Sequence, residues 1–110
     1  MKNSIIVDGV EYVRAQDVTN ATLVRTYSAG VHFGEVVSQE GKVVVLKNAR
    51  RLWSWKGAAS LNQVALDGVD VSGSKITLAV PMITLTEAIE LIPMSLAAVT
   101  NMVGAKPWKM

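Results

Sequence analysis

The sequence of 110 residues contains no cysteine, only one histidine and no long hydrophobic run. The lack of cysteine excludes disulfides, thiol nucleophiles and thiolate-bound metals, and one histidine cannot form a histidine metal cluster. No apolar stretch approaches the roughly 18 residues that a membrane-spanning helix needs, and the N-terminus lacks the apolar core of a secretory signal. We therefore expect a cytosolic protein that contacts no membrane and needs no metal or cofactor.

Positive and negative residues nearly balance, since the formal net charge is only +2, and apolar residues make up 50% of the chain. This apolar fraction is enough for one compact core, and we expect a single domain over residues 1–110. So small a net charge does not by itself indicate a nucleic-acid partner, because that signal depends on the clustering of basic residues.

Short runs of β-branched residues between turn residues predict strands in the first half of the chain. The segment "SIIVDGVEYVR" indicates a terminal hairpin over about 4–14, because Asp8-Gly9 suits a two-residue turn. The runs "ATLVRTYSAG", "VHFGEVVSQ" and "KVVVLKN" predict a three-strand meander over about 22–48, with strands near 22–28, 31–38 and 42–48.

The second half mixes helix and strand signals. Ser60 as N-cap, Gln63 in a capping box and Gly68 as terminator predict a helix over about 60–67. Strands are expected near 75–80 and 83–92, with Pro81 at a break or on an edge strand, and a helix or tail over 95–110. The predicted class is α+β, a mainly antiparallel sheet with one or two short helices.

Catalytic constellations are missing from the sequence. A nucleophilic serine needs a base, and His32 lies in a predicted strand with no Gly-x-Ser-x-Gly motif in the chain. Gly30 and Gly34 do not form a phosphate loop, because no Gly-Lys-Ser/Thr follows them. These glycines instead suit β-bulges or close backbone approach. We expect a protein that is not an enzyme.

The segment "NARRLWSWKGAASL" (48–61) holds two Arg, two Trp and a Lys with no acidic residue. Trp and Arg recur where binding energy concentrates, because an indole stacks and a guanidinium forms bidentate hydrogen bonds to phosphate or carboxylate. In an extended segment Arg51, Trp53 and Trp55 share one face, and in a helix Arg51 and Trp55 are neighbours. Arg25 and Tyr27 form a second candidate pair. The candidate ligand-binding residues are Arg25, Tyr27, Arg50, Arg51, Trp53, Trp55 and Lys56.

Three segments resemble an uncharacterised family of small tailed-phage and prophage proteins: "VRTYSAGVHFG" (24–34), "LKNARRLWSWKGAASLNQVALDG" (46–68) and "LTEAIELIPM" (85–94). The resemblance implies a phage-encoded protein that acts in the host cytoplasm. In size, β-rich class and Arg/aromatic cluster the chain also resembles the Thoeris-inhibiting anti-defence sponges. Those are small homo-oligomers that sequester cyclic nucleotide signals between subunits.

Three functions stay open at this point. The first, which we favour, is sequestration of an anionic nucleotide-type signal such as a cyclic nucleotide or an ADP-ribose derivative. The second is a structural or protein-interaction module of a phage, in which the tryptophans form the interface of a homo-oligomer. The third is a nucleic-acid binder that uses a basic stripe formed by Lys42, Lys47, Arg50, Arg51 and Lys56. The near-neutral net charge argues against this third function.

Overall fold

A computed structural model describes residues 4–7, 10–13 and 20–110. It confirms the predicted α+β class, a mainly antiparallel sheet with two short helices. A 3-10 turn covers Val71–Gly73. The strands and helices are β1 (Ser4–Val7), β2 (Val10–Val13), β3 (Ala21–Thr26), β4 (Val31–Glu40), β5 (Val43–Ser54), α1 (Leu61–Asp67), β6 (Lys75–Ile76), β7 (Val80–Leu85), β8 (Ala88–Pro93) and α2 (Leu96–Met102).

The strands form a hairpin and a six-stranded sheet. β1 pairs with β2 in the predicted hairpin, whose turn residues 8 and 9 lie outside the described residues. The sheet has the order β6-β5-β4-β3-β8, and β7 pairs with β5. β7 and β8 are separated by only Thr86 and Glu87, yet they pair with β5 and β3, on opposite sides of β4. The sheet must therefore curl to bring these two ends together.

β5 changes partners halfway along its length. Residues 44–49 pair with β7, and the part from Leu52 to Ser54 pairs with β6. Near the end of the first part Asn48 has a φ of 51°, and the register with β4 shifts beside Gly34. A Cβ on Gly34 would lie 2.8 Å from the Lys47 carbonyl oxygen, so the backbones approach too closely there for any side chain. The bulge expected at Gly34 is therefore present. It changes the course of the strands, so that β5 can pair with β7 in its first part and with β6 in its last part.

Two apolar cores lie on the two faces of this sheet. The larger first core joins the sheet to both helices: Ala21, Leu23, Phe33, Leu52, Val64, Ala65, Val69, Ile76, Met94, Ala98, Val99 and Met102. The second core lies among the curled strands: Val24, Val44, Leu46, Ala49, Leu85 and Ala88. The alternation of side chains along β3 and β5 supplies both cores, so both faces of the sheet are covered.

Local capping defines the two helices. Ser60 Oγ accepts from Gln63 N–H, and Gln63 Oε1 accepts from Ala59 N–H rather than from Ser60 as a standard capping box requires. α1 ends at Gly68, whose φ is 78°. Ser95 caps α2 by accepting from Ala98 N–H. Neither helix in the described ranges is long and apolar enough to cross a membrane.

Two strand predictions need correction. β5 extends to Ser54 instead of ending near 48, because residues 50–52 continue to pair with β4. Pro81 lies inside β7, so its edge-strand alternative holds and its break does not; the predicted strands 75–80 and 83–92 are instead interrupted at residues 77–79 and 86–87. Proline is tolerated there because β7 is an edge strand, paired with β5 within the part of the chain that the structure describes.

Candidate functional site

The extended end of β5 directs its side chains alternately to the two faces of the sheet. Leu52 is buried in the first core, whereas Trp53 is 58% exposed. Arg51 is half-buried and lies opposite His32 of β4, on the same face as Trp53. The extended alternative for this segment therefore holds for Arg51 and Trp53.

A cavity of about 410 Å³ opens on this face beside β5, and we call it the main cleft. No acidic side chain is among its described lining residues. Within the described ranges, no carboxylate forms an ion pair with Arg51 either. The cleft is lined by His32, Ala49, Arg50, Arg51, Trp53, Thr77, Leu78, Val80, Ile83 and Trp108.

Two tryptophans stack at the edge of the main cleft. The ring centroids of Trp53 and Trp108 are 5.8 Å apart, with 26° between the ring planes. Lys75 Nζ lies 5.2 Å from the Trp108 ring centroid, within the range of a cation–π interaction. The backbone N–H of Trp108 donates to the Ile76 carbonyl oxygen at 2.7 Å, which holds the tail beside β6. A mixed aromatic and cationic surface results.

His32 forms part of the wall of the main cleft and is only 1% exposed. Its Nε2 is 2.9 Å from the Ala29 carbonyl oxygen. Burial lowers the pKa of His32 below 6.5, the backbone hydrogen bond to Ala29 opposes this shift, and the positive charge of Arg51 adds to it. His32 is therefore mainly neutral at pH 7, and Arg51 supplies positive charge on this side of the cleft.

Arg50 has a structural position although it borders the cleft. Its side chain is 5% exposed and donates to the carbonyl oxygens of Thr77 (2.8 Å), Met102 (3.2 Å) and Val103 (2.9 Å). These carbonyls include the C-terminal end of α2, where a cation is favourable. Burial lowers the pKa of Arg50. Arg50 thus fixes the end of α2 from which the tail with Trp108 departs.

Trp55 and Lys56 do not join Arg51 at the cleft. Trp55 follows the last residue of β5, packs against the first core and donates from Nε1 to the Ala58 carbonyl oxygen at 3.3 Å. Lys56 is exposed beside Gly73 and Asp70, whose pKa is lowered by hydrogen bonds from Ser72 and by the charge of Lys56. The expectation that Trp55 shares the face of Trp53 fails because the strand ends between them.

Arg25 and Tyr27 lie elsewhere on the sheet. Arg25 forms an exposed ion pair with Glu90, with 3.3 Å between Nη1 and Oε1. Tyr27 is 79% exposed and lines a separate cavity of about 250 Å³ with Lys42, Glu87 and Ile89. The basic stripe is also dispersed, since Arg50 is buried and Lys47 Nζ is 4.0 Å from Glu35 Oε2.

Neither Trp108 nor Lys75 was among the candidate ligand-binding residues predicted from the sequence. Trp108 stands in "AKPWKM", a short segment that, like the Arg/Trp cluster, combines basic residues with tryptophan and has no acidic residue, and this similarity was an available signal. Lys75 carried no such signal, because its position over Trp108 depends on how the tail follows β6.

One comparison with known proteins gives a match. A family model, Domain of unknown function (DUF6948), matches residues 19–102. The match includes β3 through α2 and ends before the tail that carries Trp108. No curated protein and no solved structure matches the chain significantly.

Proposed function

Because the chain belongs to the DUF6948 family, a domain of unknown function, we propose its function from the main cleft: the protein binds a small anionic, ring-containing ligand of the nucleotide type without transforming it. One observation carries the proposal. Arg51 and the stacked pair of Trp53 and Trp108 border one cavity of about 410 Å³, with Lys75 against Trp108. This volume is within the usual range for small-molecule sites, roughly 300–1,000 Å³.

The charges around the main cleft support an anionic ligand. Arg51 is half-buried, which strengthens its attraction to an anion relative to a fully exposed guanidinium. The described lining contains no carboxylate to compete with such a ligand, and the neighbouring His32 is mainly neutral. A phosphate matches the planar fork of donors that an arginine presents.

The two exposed indoles support a ligand with an aromatic ring. Trp53 is 58% and Trp108 43% exposed, and exposed indoles are enriched where a protein binds a ligand or a partner. Stacking of a base on an aromatic side chain is typically worth about 1–3 kcal/mol. A base on Trp53 with its phosphate at Arg51 uses both residue types together.

Sequestration is the role that we propose for this binding. The resemblance to phage and prophage proteins and to anti-defence sponges suggests a phage protein that withdraws a nucleotide signal in the host cytoplasm. A sequestering protein needs affinity and no catalytic groups, which agrees with a cleft lined by two arginines, neutral polar groups, apolar side chains and two indole rings.

We predict that Arg51→Ala weakens binding of the preferred ligand about 10- to 100-fold, because a hydrogen bond to a charged group is typically worth about 1.5–3 kcal/mol. Calorimetry with ADP-ribose and with cyclic dinucleotides measures this loss, and mass spectrometry of the denatured protein detects a co-purified ligand. Lys47→Ala is the matched control, because it removes the same charge from the same strand but outside the cleft. No binding of any of these nucleotides to the wild type at millimolar concentration contradicts the proposal.

A second candidate function is an interaction module, and the exposed apolar side chains around β7 favour it. Leu78 and Val80, which line the main cleft with Trp53 and Trp108, are 50% and 41% exposed, and Met82, on the same edge strand as Val80, is 55% exposed. Contiguous apolar surface of this kind is typical of interfaces between subunits.

We therefore predict a homodimer or larger homo-oligomer, in which Met82→Glu shifts the mass measured by light scattering at micromolar concentration toward that of the monomer. The introduced carboxylate would be buried in the interface without a charged partner, which disfavours association. Thr84→Glu, an exposed position on the same strand outside the apolar group, serves as the control. A monomeric mass for the wild type is evidence against this interface.

A further inference from the structure

A second cavity of about 280 Å³ adjoins the main cleft, and we call it the side cavity. Arg51 and Trp53 border both cavities. Beyond them, the side cavity is lined by Leu52 and by the turn Ser28–Gly30, whereas the main cleft is lined by Thr77, Leu78, Val80 and Trp108. The turn directly precedes β4, which pairs with one edge of β5, and residue 77 directly follows β6, which pairs with the other. Arg51 and Trp53 thus stand on β5 between two cavities.

The turn Ser28–Gly30 is held in place by hydrogen bonds from β3 and β4. Thr26 Oγ1 accepts from Ala29 N–H at 2.9 Å and donates to the Gly30 carbonyl oxygen at 2.7 Å. His32 Nε2 bonds the Ala29 carbonyl oxygen at 2.9 Å. A turn fixed in advance loses little conformational entropy when a ligand binds, so the side cavity is a preorganised surface.

The groups of this turn favour a polar, uncharged ligand portion over a second anion. The Ser28 hydroxyl donates to Glu87, whose carboxylate therefore lies near the turn and repels an anion placed there. The amide N–H groups of Ser28 and Gly30 have no acceptor among the described residues and remain available as donors. The positive charge in reach of both cavities is that of Arg51.

We propose that the site is bipartite and takes a ligand with a group at each end of a phosphate bridge. This inference rests on the proposed function. The base stacks in the main cleft, the phosphates meet Arg51 between the cavities, and a second sugar or nucleoside fills the side cavity against the turn. The preferred class is then a dinucleotide or nucleoside-diphosphate sugar, and a nucleotide with a single nucleoside and no second group leaves the side cavity unused.

Calorimetry with ADP and ADP-ribose tests this directly on the wild-type protein. Both share the base and the diphosphate, and ADP-ribose adds the second sugar while carrying less negative charge. We expect ADP-ribose to bind at least about tenfold more tightly, because the extra contacts outweigh the lower charge. Equal or weaker binding of ADP-ribose overturns the bipartite site while leaving the proposed function intact. The absence of binding by both ligands at millimolar concentration overturns the two together.

Ala29→Leu provides the second arm of the test. Ala29 is exposed and lines the side cavity but not the main cleft, so the larger side chain narrows only the smaller space. The affinity for ADP-ribose is expected to fall about tenfold or more, with the affinity for ADP and the thermal midpoint unchanged. A parallel loss of affinity for both ligands, or no loss for either, contradicts the proposal.

Discussion

Trp55→Ala is expected to lower the free energy of unfolding by about 3 kcal/mol, the low end of the range for truncating a large core aromatic residue, because Trp55 is only half-buried. The indole packs against the first core and its Nε1 donates to the Ala58 carbonyl oxygen. Truncation removes this packing and also leaves the segment between β5 and α1 without its anchor. Urea unfolding followed by far-ultraviolet circular dichroism measures the change.

Trp53→Ala is the matched control for that experiment, two positions away on the same segment. Trp53 is largely exposed and stacks on Trp108, an interaction worth about 1 kcal/mol or less at a surface. We expect a small effect on stability and a loss of nucleotide affinity, the reverse of the pattern for Trp55→Ala. Equal destabilisation by the two substitutions would show that both tryptophans serve packing.

Gly68→Ala is expected to destabilise the protein by about 3–5 kcal/mol. Gly68 has φ 78° and ψ −154°, a backbone conformation that costs other residues about 1–3 kcal/mol. Its added Cβ would lie 2.2 Å from Asn101 Oδ1. Asn101 cannot withdraw cheaply, because its side chain accepts from Val69 N–H and donates to the Val69 carbonyl oxygen. The substitution therefore strains the backbone and breaks the link between α1 and α2.

Gly41→Ala measures the cost of a positive φ at a position where the added Cβ makes no steric contact. Gly41 also has a positive φ, 60°, but a Cβ there meets no atom within 4 Å. About 1 kcal/mol is expected from the left-handed conformation alone. Thermal or urea unfolding of the two variants side by side gives the comparison, and similar losses for both would refute the role assigned to Asn101.

The helices were predictable from sequence because their signals are local. Ser60 and Gly68 mark the two ends of α1 within a few residues of chain, and Ser95 caps the start of α2. The end of β5 was not predictable in this way. Its extension to Ser54 depends on pairing with β4 and with β6, which lies some twenty residues further along the chain.

The candidate site was predictable only where its geometry depends on local rules. Arg51 and Trp53 share a face because alternation in a strand is a local rule. The burial of Arg50 depends on the distant carbonyls of Met102 and Val103, and the stacking of Trp108 on Trp53 depends on the path of the tail. The spacing of residues along the chain indicates neither the burial of Arg50 nor the stacking of Trp108 on Trp53.

The pairing of β3 with β8 also bears on how the chain is synthesised. Arg25 and Glu90, which face each other across these strands, are 65 positions apart. β3 and β5 leave the ribosome before β7 and β8, carrying the Val24, Val44 and Leu46 side chains of the second core, whereas Leu85 and Ala88 follow later. Until β7 and β8 emerge, the nascent polypeptide presents an uncovered apolar surface that is open to aggregation and to chaperones.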